Sequence, residues 1–468
     1  MLLFTVDEIV EAVGGKLLDS TPALMDKKIT GVSTDTRNIK QGDLFIPLAG
    51  ERFDGHFFLD EAIEKGAAAV LLHREDAGFL PGLFPHVAVI KVDDTLKGLQ
   101  DLAHYHRKRF DIPVVAVTGS NGKTTTKDMI GLVLSQKYNV LKTEGNLNNE
   151  IGLPHTLLGL ESRHEIVVVE MGMSALGEIH RLAEIARPTM AVITNIGVSH
   201  LENLGSRENI LKAKMEVLDF LSPGNKAVLN GDDEYLGSIK GDFAFDIIYY
   251  GMGGKASLKA IDIRPLGERG IAYDLTMKGE TFTVELCIPG RHNVYNSLAA
   301  VAIGDLFGIG SKAIRKGLKT FHPGDMRLNI FTTPGGIRVI DDVYNASPDS
   351  MNAAVEILGD FSGRRRIAVL GDMLELGDYS RKGHMEVGRA VVQNSIDILV
   401  TMGEQSQFIR QGALDMGMDQ SKTEHFNCNK DVTKYLASIL EPGDTILVKG
   451  SRGMKMEEVV EQIQKMRT

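Results

Sequence analysis

The sequence predicts an α/β protein of several domains, with a parallel sheet in the middle of the chain. Short apolar runs rich in β-branched residues alternate with helical patterns, which is typical of buried parallel strands covered by helices on both faces. One of these runs leads through a glycine-containing loop into a helix. The length of 468 residues also exceeds what one hydrophobic core usually spans, so roughly two to four domains are expected.

The charge balance narrows the class of protein. The formal net charge is -10, with 62 acidic residues against 52 basic ones. This balance argues against general binding of nucleic acid, which needs clustered lysine and arginine side chains. An anionic small substrate is still compatible with it, because a few local cations are enough to hold one.

Cysteine usage and hydropathy predict a soluble cytoplasmic protein. Cys287 and Cys428 stand outside any metal-ligand spacing, so a disulfide framework is not expected and a reducing compartment fits. The N-terminal segment turns acidic at Asp7 and Glu8, unlike a signal peptide. No apolar run is long enough to cross a bilayer, so we expect no membrane insertion.

The chain divides into three predicted domains, at residues 1–109, 110–322 and 323–468. The first mixes short strands with helical stretches such as 58–65, and it ends in a polar helix around 104–109. Pro113 follows this helix and marks a boundary, because proline disfavours helix in the residue before it.

Strands are predicted in the second and third domains from apolar, β-branched runs. In the second domain the runs lie at 114–117, 166–169, 190–194 and 226–229, and 270–289 is expected to add antiparallel strands. In the third domain they lie at 338–340, 366–370, 398–401 and 445–448. Most of these runs end in small or polar turns. Ligands collect at the carboxyl ends of strands in open α/β sheets, so chemistry is expected in those turns.

The strongest local pattern is a phosphate-binding loop, TGSNGKTT at 118–125, between a predicted strand and a predicted helix. Its glycines let backbone N–H groups approach phosphate oxygens, Lys123 adds a full positive charge, and the Thr124 hydroxyl can ligate Mg²⁺. Val117 stands where a strict P-loop has its first glycine, so an ordinary strand-to-helix turn is the alternative. The other residues predicted to contact the nucleotide here are Gly119, Ser120, Asn121, Gly122 and Thr125.

Two polar residues follow other strands of the same domain. Glu170 ends the run at 166–169, where an acidic metal ligand would lie, and the alternative is a carboxylate that faces solvent. His200 also lies just beyond a strand, although a single histidine is more often a structural residue. Lys212 and Lys214 lie on a predicted helix near Glu216, and ion pairing on a solvated face is their default interpretation.

The segment TGSNGKTTTK at 118–127 and several others, all in order, resemble the Mur ligases of peptidoglycan synthesis. The first segment marks the superfamily, and the resemblance covers essentially the whole chain. The branch that adds D-alanyl-D-alanine to UDP-N-acetylmuramoyl-tripeptide is similar at GNLNNEIGLP (145–154), VYNASPDSM (343–351), LGDMLELG (370–377) and KGSRGMKME (449–457). STDTR at 33–37 and RFDGHFF at 52–58 resemble the family's UDP-sugar-binding domain.

This resemblance implies a three-domain architecture: a small N-terminal α/β domain for UDP, a central P-loop ATPase domain with a parallel sheet, and a C-terminal Rossmann-like domain for the incoming dipeptide. It implies catalytic roles for Lys123, Glu170, His200 and Lys214. Lys123 and Thr124 would hold the ATP phosphates and Mg²⁺, and Glu170 and His200 would be magnesium ligands. Lys214 falls where the family carries a carbamylated lysine, which could hold a second magnesium ion.

The resemblance also implies binding roles at other positions. Near the nucleotide these are Asn293, Asn296, Arg327 and Asp342. This chain departs from the family pattern before Arg327, with PGDMRL where the family often has PGR. Asp341 adjoins Asp342, so either carboxylate could face the ribose or the metal. Along the substrates they are Ser33, Asp35 and Arg37 for the UDP, together with Asn146, Asn148, Tyr344, Asn345 and, for the incoming peptide, Arg452.

The predicted activity is ATP-dependent ligation, in which a carboxylate is activated as an acyl phosphate and joined to an amine. The implied substrates are UDP-N-acetylmuramoyl-tripeptide and D-alanyl-D-alanine, and a monomer that closes over them is expected. Two other classes remain open from the sequence. One is another ligase of the superfamily, such as the tripeptide-forming enzyme or a folylpolyglutamate synthase. The other is a P-loop kinase or nucleotide triphosphatase.

Overall fold

The computed structural model describes residues 4–18, 22–50, 53–73 and 84–466, and it contains an α/β sheet in each third of the chain. Arg52 of the predicted UDP-sugar segment lies outside the described residues. Within the described residues, no helix has both the length and the apolar character needed to cross a membrane.

The N-terminal part contains a five-stranded sheet in the order β2-β9-β8-β5-β4, with two small two-stranded sheets, β1-β3 and β6-β7. Its strands are β1 Phe4–Thr5, β2 Lys16–Leu17, β3 Lys28–Ile29, β4 Gly31–Ser33, β5 Asp43–Phe45, β6 Ala49–Gly50, β7 Phe53–Asp54, β8 Ala69–Leu72 and β9 Ala88–Lys91. Its helices are α1 Val6–Val13, α2 Pro22–Met25, α3 Leu59–Glu64 and α4 Thr95–Lys108.

The central part contains a nine-stranded sheet in the order β11-β12-β10-β13-β14-β15-β16-β17-β18. The strands are β10 Val114–Thr118, β11 Val140–Lys142, β12 Ile166–Glu170, β13 Met190–Ile193, β14 Lys226–Asn230, β15 Asp246–Gly251, β16 Leu258–Pro265, β17 Ile271–Met277 and β18 Glu280–Leu286. The helices are α5 Lys123–Leu134, α6 Gly152–Leu158, α7 Glu178–Ala186, α8 Leu201–Leu204, α9 Arg207–Met215, α10 Arg291–Leu306 and α11 Ser311–Lys319.

The C-terminal part contains a six-stranded sheet in the order β19-β20-β24-β21-β22-β23, which is parallel except for the edge strand β19. The strands are β19 Asn329–Thr332, β20 Arg338–Asp341, β21 Arg366–Gly371, β22 Ile398–Met402, β23 Thr423–Phe426 and β24 Thr445–Lys449. The helices are α12 Pro348–Asp360, α13 Ser380–Gln393, α14 Gln407–Asp415, α15 Asn429–Ile439 and α16 Glu457–Lys465.

The predicted strands are confirmed, and so is the expectation that helices cover both faces of the central sheet. Along β10, Val115 and Val117 pack into one apolar cluster, whereas Val114 and Ala116 pack into another on the opposite face. All four side chains are fully buried because successive side chains of a strand point to opposite faces. The predicted antiparallel extension at 270–289 is also confirmed, since β17 pairs antiparallel with β16 and β18.

Helix α4 joins the N-terminal and central sheets rather than facing solvent. It packs against α1 on one side and against α6 and α7 on the other. Two of its polar residues, His106 and Arg107, are buried and contact backbone carbonyls of the central part: His106 Nε2 lies 3.0 Å from the Leu160 oxygen, and Arg107 Nε donates to the Ala186 oxygen at 3.1 Å. The predicted domain boundary at 109–110 therefore comes directly after a helix that packs against both parts. The boundary itself stays a prediction.

Candidate active site

The phosphate loop follows β10 and leads directly into α5, as predicted. Gly119 and Gly122 have φ angles of +146° and +80°, which side chains rarely tolerate. A Cβ at Gly119 would collide with the Thr194 hydroxyl, and one at Gly122 would collide with the Asn296 amide oxygen. Both glycines are thus required for the path of the loop.

The loop is fixed by the residues that follow β13. The backbone amides of Ser120 and Asn121 donate to the Asn195 backbone and side-chain oxygens, each at 3.0 Å. The Thr194 hydroxyl donates to the Asn121 carbonyl at 2.6 Å. Gly122 caps α5 without any side-chain hydrogen bond, so the first N–H groups of this helix are available to an anion.

Lys123 is a cation held inside this loop. Its Nζ donates to the carbonyl oxygens of Gly119 and Ser120, at 2.8 and 3.3 Å. Burial lowers the pKa of Lys123, the Glu170 carboxylate opposes that shift, and the Arg327 guanidinium adds to it. The loop carbonyls offer the ammonium only partial negative charges. A triphosphate in the cleft would offer it full negative charges.

Glu170 is buried, so the alternative of a solvent-facing carboxylate is wrong. Its side chain is 1% exposed. Asn148 Nδ2 donates to Oε1 at 2.7 Å, and the Glu170 backbone amide donates to the Thr143 hydroxyl at 3.0 Å. Oε2 has no hydrogen-bond partner among the described residues. A buried carboxylate oxygen without a partner suits a cation, because hard metal ions such as Mg²⁺ prefer oxygen ligands.

The two lysines of α9 differ sharply. Lys212 is exposed, as expected for a solvated face, but only 2% of Lys214 is exposed. Among the described residues, neither a hydrogen bond nor an opposite charge acts on its ammonium. Burial, and secondarily the charge of Lys123, lowers the pKa of Lys214 well below its usual value. The site therefore favours a neutral amine there.

His200 lies at the start of α8 with a left-handed backbone, φ +62°. Its Nδ1 is 2.7 Å from Oε2 of Glu375, a residue of the C-terminal part. Burial lowers the pKa of His200, and the Glu375 carboxylate opposes that shift. No group of three or more His, Cys, Asp or Glu side chains within the described ranges is close enough to hold a metal ion by itself.

The adjacent residues Asp341 and Asp342 have different environments on the side of the cleft that the C-terminal part forms, which is called the C-terminal wall below. Asp342 lines the cleft, accepts from the Leu328 amide at 3.1 Å and pairs with Lys449 Nζ at 2.5 Å. Asp341 is 7% exposed, and burial raises its pKa to about 6. Sequence reasoning did not single out Lys449. It could have done so, because Lys449 is a charged residue at the end of a buried strand, as Glu170 is.

Arg327 reaches the cleft despite the departure of its segment from the family pattern. Its guanidinium lies 3.8 Å from the centre of the Tyr344 ring. Its neighbours Met326 and Leu328 both have left-handed backbones, with φ of +62° and +47°. Such strain persists only where surrounding contacts enforce it, and it is common at ligand sites.

The C-terminal part touches the phosphate loop directly. The Ser347 hydroxyl donates to Oδ1 of Asn121 at 3.1 Å. Asp349 is so close to Gly197 that a Cβ there would collide with its carboxylate. Sequence reasoning missed Ser347 as a contact of the loop and Asp349 as a neighbour of Gly197, since only the packing of the two parts brings them there.

These elements enclose a cleft of about 1310 Å³ between the central and C-terminal parts. Most of the predicted site residues line it: Ser120, Asn121, Gly122, Lys123, Thr124, Thr125, Asn146, Asn148, Glu170, His200, Asn293, Asn296, Arg327, Asp342, Tyr344, Asn345 and Arg452.

Five predicted residues are not part of the cleft lining. Gly119 belongs to the phosphate loop but does not line the cleft, and Lys214 is buried. Ser33, Asp35 and Arg37 belong to the N-terminal part, where Arg37 and Asp35 form an exposed ion pair at 2.6 Å. The neighbouring Thr34 hydroxyl is 3.1 Å from Nε2 of His155 in the central part, so this segment lies against the central domain.

Replacing Gly119 with alanine is expected to distort the phosphate loop. The new methyl group would meet the Thr194 hydroxyl at an unfavourable φ, which should lower the free energy of unfolding by about 2 kcal/mol and weaken ATP binding. Denaturant unfolding and nucleotide titration measure the two effects. Gly254→Ala is the matched control, because a Cβ there has no neighbour within 4 Å. Equal behaviour of the two variants would contradict this account of the loop.

Three family matches cover almost the whole chain, one for each part. The Mur ligase family catalytic domain matches residues 28–107, the Mur ligase middle domain matches 117–304, and the Mur ligase glutamate ligase domain matches 326–452. Together they include the phosphate loop and both walls of the cleft.

Individual relatives are similar over their full length. The UDP-N-acetylmuramoyl-tripeptide–D-alanyl-D-alanine ligase of Bacillus subtilis (strain 168) is 43% identical over 464 residues, which is 99% of each chain. A crystal structure of MurF from Acinetobacter baumannii covers 99% of each chain at 32% identity, with a TM-score of 0.90. A MurF ligase from Thermotoga maritima, in complex with ADP, covers 93% of this chain and 97% of its own at 30% identity, with a TM-score of 0.80.

Proposed function

The chain belongs to the Mur ligase family of ATP-dependent acid–amino-acid ligases, and on that premise we propose that it adds D-alanyl-D-alanine to UDP-N-acetylmuramoyl-tripeptide in peptidoglycan synthesis. The observation that carries this proposal is the 43% identity, over 99% of both chains, with a ligase named for that reaction. The cleft supports it, because the phosphate loop with Lys123 and the C-terminal wall meet there.

The reaction must overcome two chemical obstacles. A carboxylate oxygen is a poor leaving group, and an amine is protonated at neutral pH. In the proposed route a carboxylate oxygen of the tripeptide attacks the γ-phosphorus, the bond to the bridging oxygen breaks, and ADP leaves. The free amine of the dipeptide then attacks the acyl carbon. The tetrahedral intermediate collapses with loss of phosphate, and the amine proton passes to solvent or to a base.

The chain's own residues offset the negative charge that opposes the first step. Lys123 and the uncapped N-terminus of α5 would face the phosphates, and Arg327 lines the same cleft. Preorganised charges of this kind stabilise a transition state without having to reorient during the reaction. Asp342, held in place by Lys449, is proposed to contact the nucleotide from the opposite wall.

One or two magnesium ions are part of this proposal. The unpartnered Oε2 of Glu170 fits such an ion, and the buried amine of Lys214 would fit one after carbamylation. Thr124, Glu170, His200 and carbamylated Lys214 would hold them. Magnesium bound there screens the charges of triphosphate and carboxylate. Carbamylation needs the neutral amine, which attacks carbon dioxide and loses a proton to give a carboxylate.

The remaining binding roles are also part of the proposal. Ser33, Asp35 and Arg37 would hold the UDP end of the acceptor, and the dipeptide would lie by Tyr344, Asn345 and Arg452, with Asn146 along the path between them. Asn148 donates to Glu170, so it serves at least to orient that carboxylate. Asn293 and Asn296 pack beside the phosphate loop, where Thr126 donates to Asn296 at 3.1 Å. A cytoplasmic monomer that closes over its substrates stays a prediction.

The test is a phosphate-release assay in which each substrate is omitted in turn. Phosphate is expected only when ATP, UDP-N-acetylmuramoyl-tripeptide and D-alanyl-D-alanine are all present. Oxygen-18 in the tripeptide carboxylate should appear in the released phosphate, since the acyl phosphate carries that oxygen away. Phosphate from ATP alone would favour a triphosphatase, and activity only with folate or an earlier muramoyl peptide would favour another ligase. Unlabelled phosphate would exclude the acyl-phosphate route.

A further inference from the structure

We propose that Glu375 is a positioning residue that orients the imidazole ring of His200. As a consequence, the metal site is complete only when the C-terminal domain is in contact with the central domain. This inference rests on the proposed function in one respect, namely that His200 is a magnesium ligand. Sequence reasoning assigned no role to Glu375. The geometry of the two loops that meet at this point carries the inference.

The contact crosses between the two domains. His200 follows β13 of the central sheet, and Glu375 follows β21 of the C-terminal sheet. Oε2 of Glu375 lies 2.7 Å from Nδ1 of His200, although the ring N–H is not aimed at the oxygen in this conformation. Both residues have left-handed backbones with φ of +62°, so each loop takes an unusual conformation at the contact.

The loop that carries Glu375 is anchored on both sides. The Met373 amide donates to Nε2 of the buried His384 at 3.0 Å, and the Leu374 amide donates to the Ser451 hydroxyl at 2.9 Å. Asp372 accepts the amide of Ser406 at 2.7 Å. A carboxylate presented on such a loop has a defined position relative to the C-terminal sheet.

The same loop makes backbone contacts with the helix that His200 begins. The Glu202 amide donates to the Glu375 carbonyl at 3.2 Å, and a Cβ added at Gly377 would lie 3.3 Å from Cα of Glu202. The carboxylate is therefore delivered to the imidazole only when these segments are in contact. Separation of the domains would remove it.

This contact should determine the orientation and the tautomer of the His200 ring, and it should contribute little to the stability of the fold. The Glu375 side chain is 56% exposed and His200 is 24% exposed, and half-exposed ion pairs contribute little to folding. A carboxylate beside Nδ1 favours the tautomer with the proton on that nitrogen, which leaves the Nε2 lone pair for a metal. This is how carboxylates commonly prepare histidine ligands.

The first measurement needs no metal and no turnover. Nitrogen-15 spectra of the histidine-labelled protein report the ring tautomer, and a His200→Gln variant identifies the signal among the 13 histidines. We expect the Nδ1–H tautomer in the unmodified protein, a shift towards Nε2–H in Glu375→Gln, and partial recovery in Glu375→Asp. An unchanged tautomer in Glu375→Gln would overturn the proposal.

The second measurement is the magnesium concentration that gives half-maximal activity. Groups that hold a metal ligand typically change metal affinity by about 10- to 100-fold when removed, so Glu375→Gln should raise this concentration roughly tenfold or more at saturating ATP. Glu404→Gln, exposed on the same domain, is the matched control. Equal magnesium requirements for the two variants would overturn the proposal, and a fall in melting temperature matching the loss would point to a structural role instead.

The two readouts separate the proposal from its premise. If His200→Gln leaves the magnesium requirement unchanged, the assignment of His200 as a ligand fails. The tautomer spectra then still decide whether Glu375 positions the ring.

Discussion

Lys123→Ala is expected to reduce turnover by about 100- to 1000-fold, the range seen when one preorganised charge-stabilising group is removed from an active site. The reason is that Nζ of Lys123, which lies within hydrogen-bonding reach of the Gly119 carbonyl at 2.8 Å, is the cation inside the loop. Nothing else in the loop can replace its charge while the γ-phosphoryl group moves. Steady-state assays with all three substrates measure the effect.

The control is Lys212→Ala, which removes the same charge from an exposed position of the same domain. The net charge of both variants is equal, so a general electrostatic effect would lower their activities alike. Lys123→Ala should also remain folded, because loss of a partly desolvated cation removes no apolar contact on which the core depends. Comparable turnover in the two variants would show that Lys123 is not the phosphate-binding lysine.

Local features of this site could be predicted from the sequence because short-range physics determines them. The phosphate loop needs only a strand, glycines with positive φ and a helix that starts at Lys123, and all three lie within residues 114–134. The same holds for Glu170, since parallel strands place their carboxyl ends at one edge of a sheet. The sequence therefore predicted which turns would meet.

Other features depended on contacts between distant segments and could not be predicted in the same way. The sequence could not decide between Asp341 and Asp342, because the choice depends on which side chain the Lys449 ammonium meets. The burial of Lys214 could not be predicted either. A lysine on a helix is expected at the surface, and only the packing of neighbouring elements shows that this one is buried. The Glu375 contact exists only through the packing of two domains.

Lys214→Met is expected to lower activity by at least about 100-fold, since loss of a group that merely supports a metal ligand already costs about 10- to 100-fold. Methionine has a similar length and no charge, so it should fill the site without the desolvation cost of an unpaired amine. The free energy of unfolding should therefore not fall. Loss of activity without loss of stability would distinguish a chemical role of Lys214 from a structural one.

The carbamate itself can be tested through its carbon dioxide. Because burial lowers the pKa of Lys214, its neutral amine reacts with carbon dioxide more readily than the amine of an exposed lysine, and the resulting carbamate supplies a negatively charged oxygen ligand. Activity should fall when dissolved carbon dioxide is removed and return with bicarbonate.

Lys214→Glu, which carries a permanent carboxylate on a shorter side chain, should retain part of the activity and lose the dependence on carbon dioxide. A carbon-13 carbamate signal from labelled bicarbonate should appear in the unmodified protein and in Lys212→Ala but not in Lys214→Met. If the signal is absent from all three proteins, the amine acts unmodified and the second metal site loses its carboxylate.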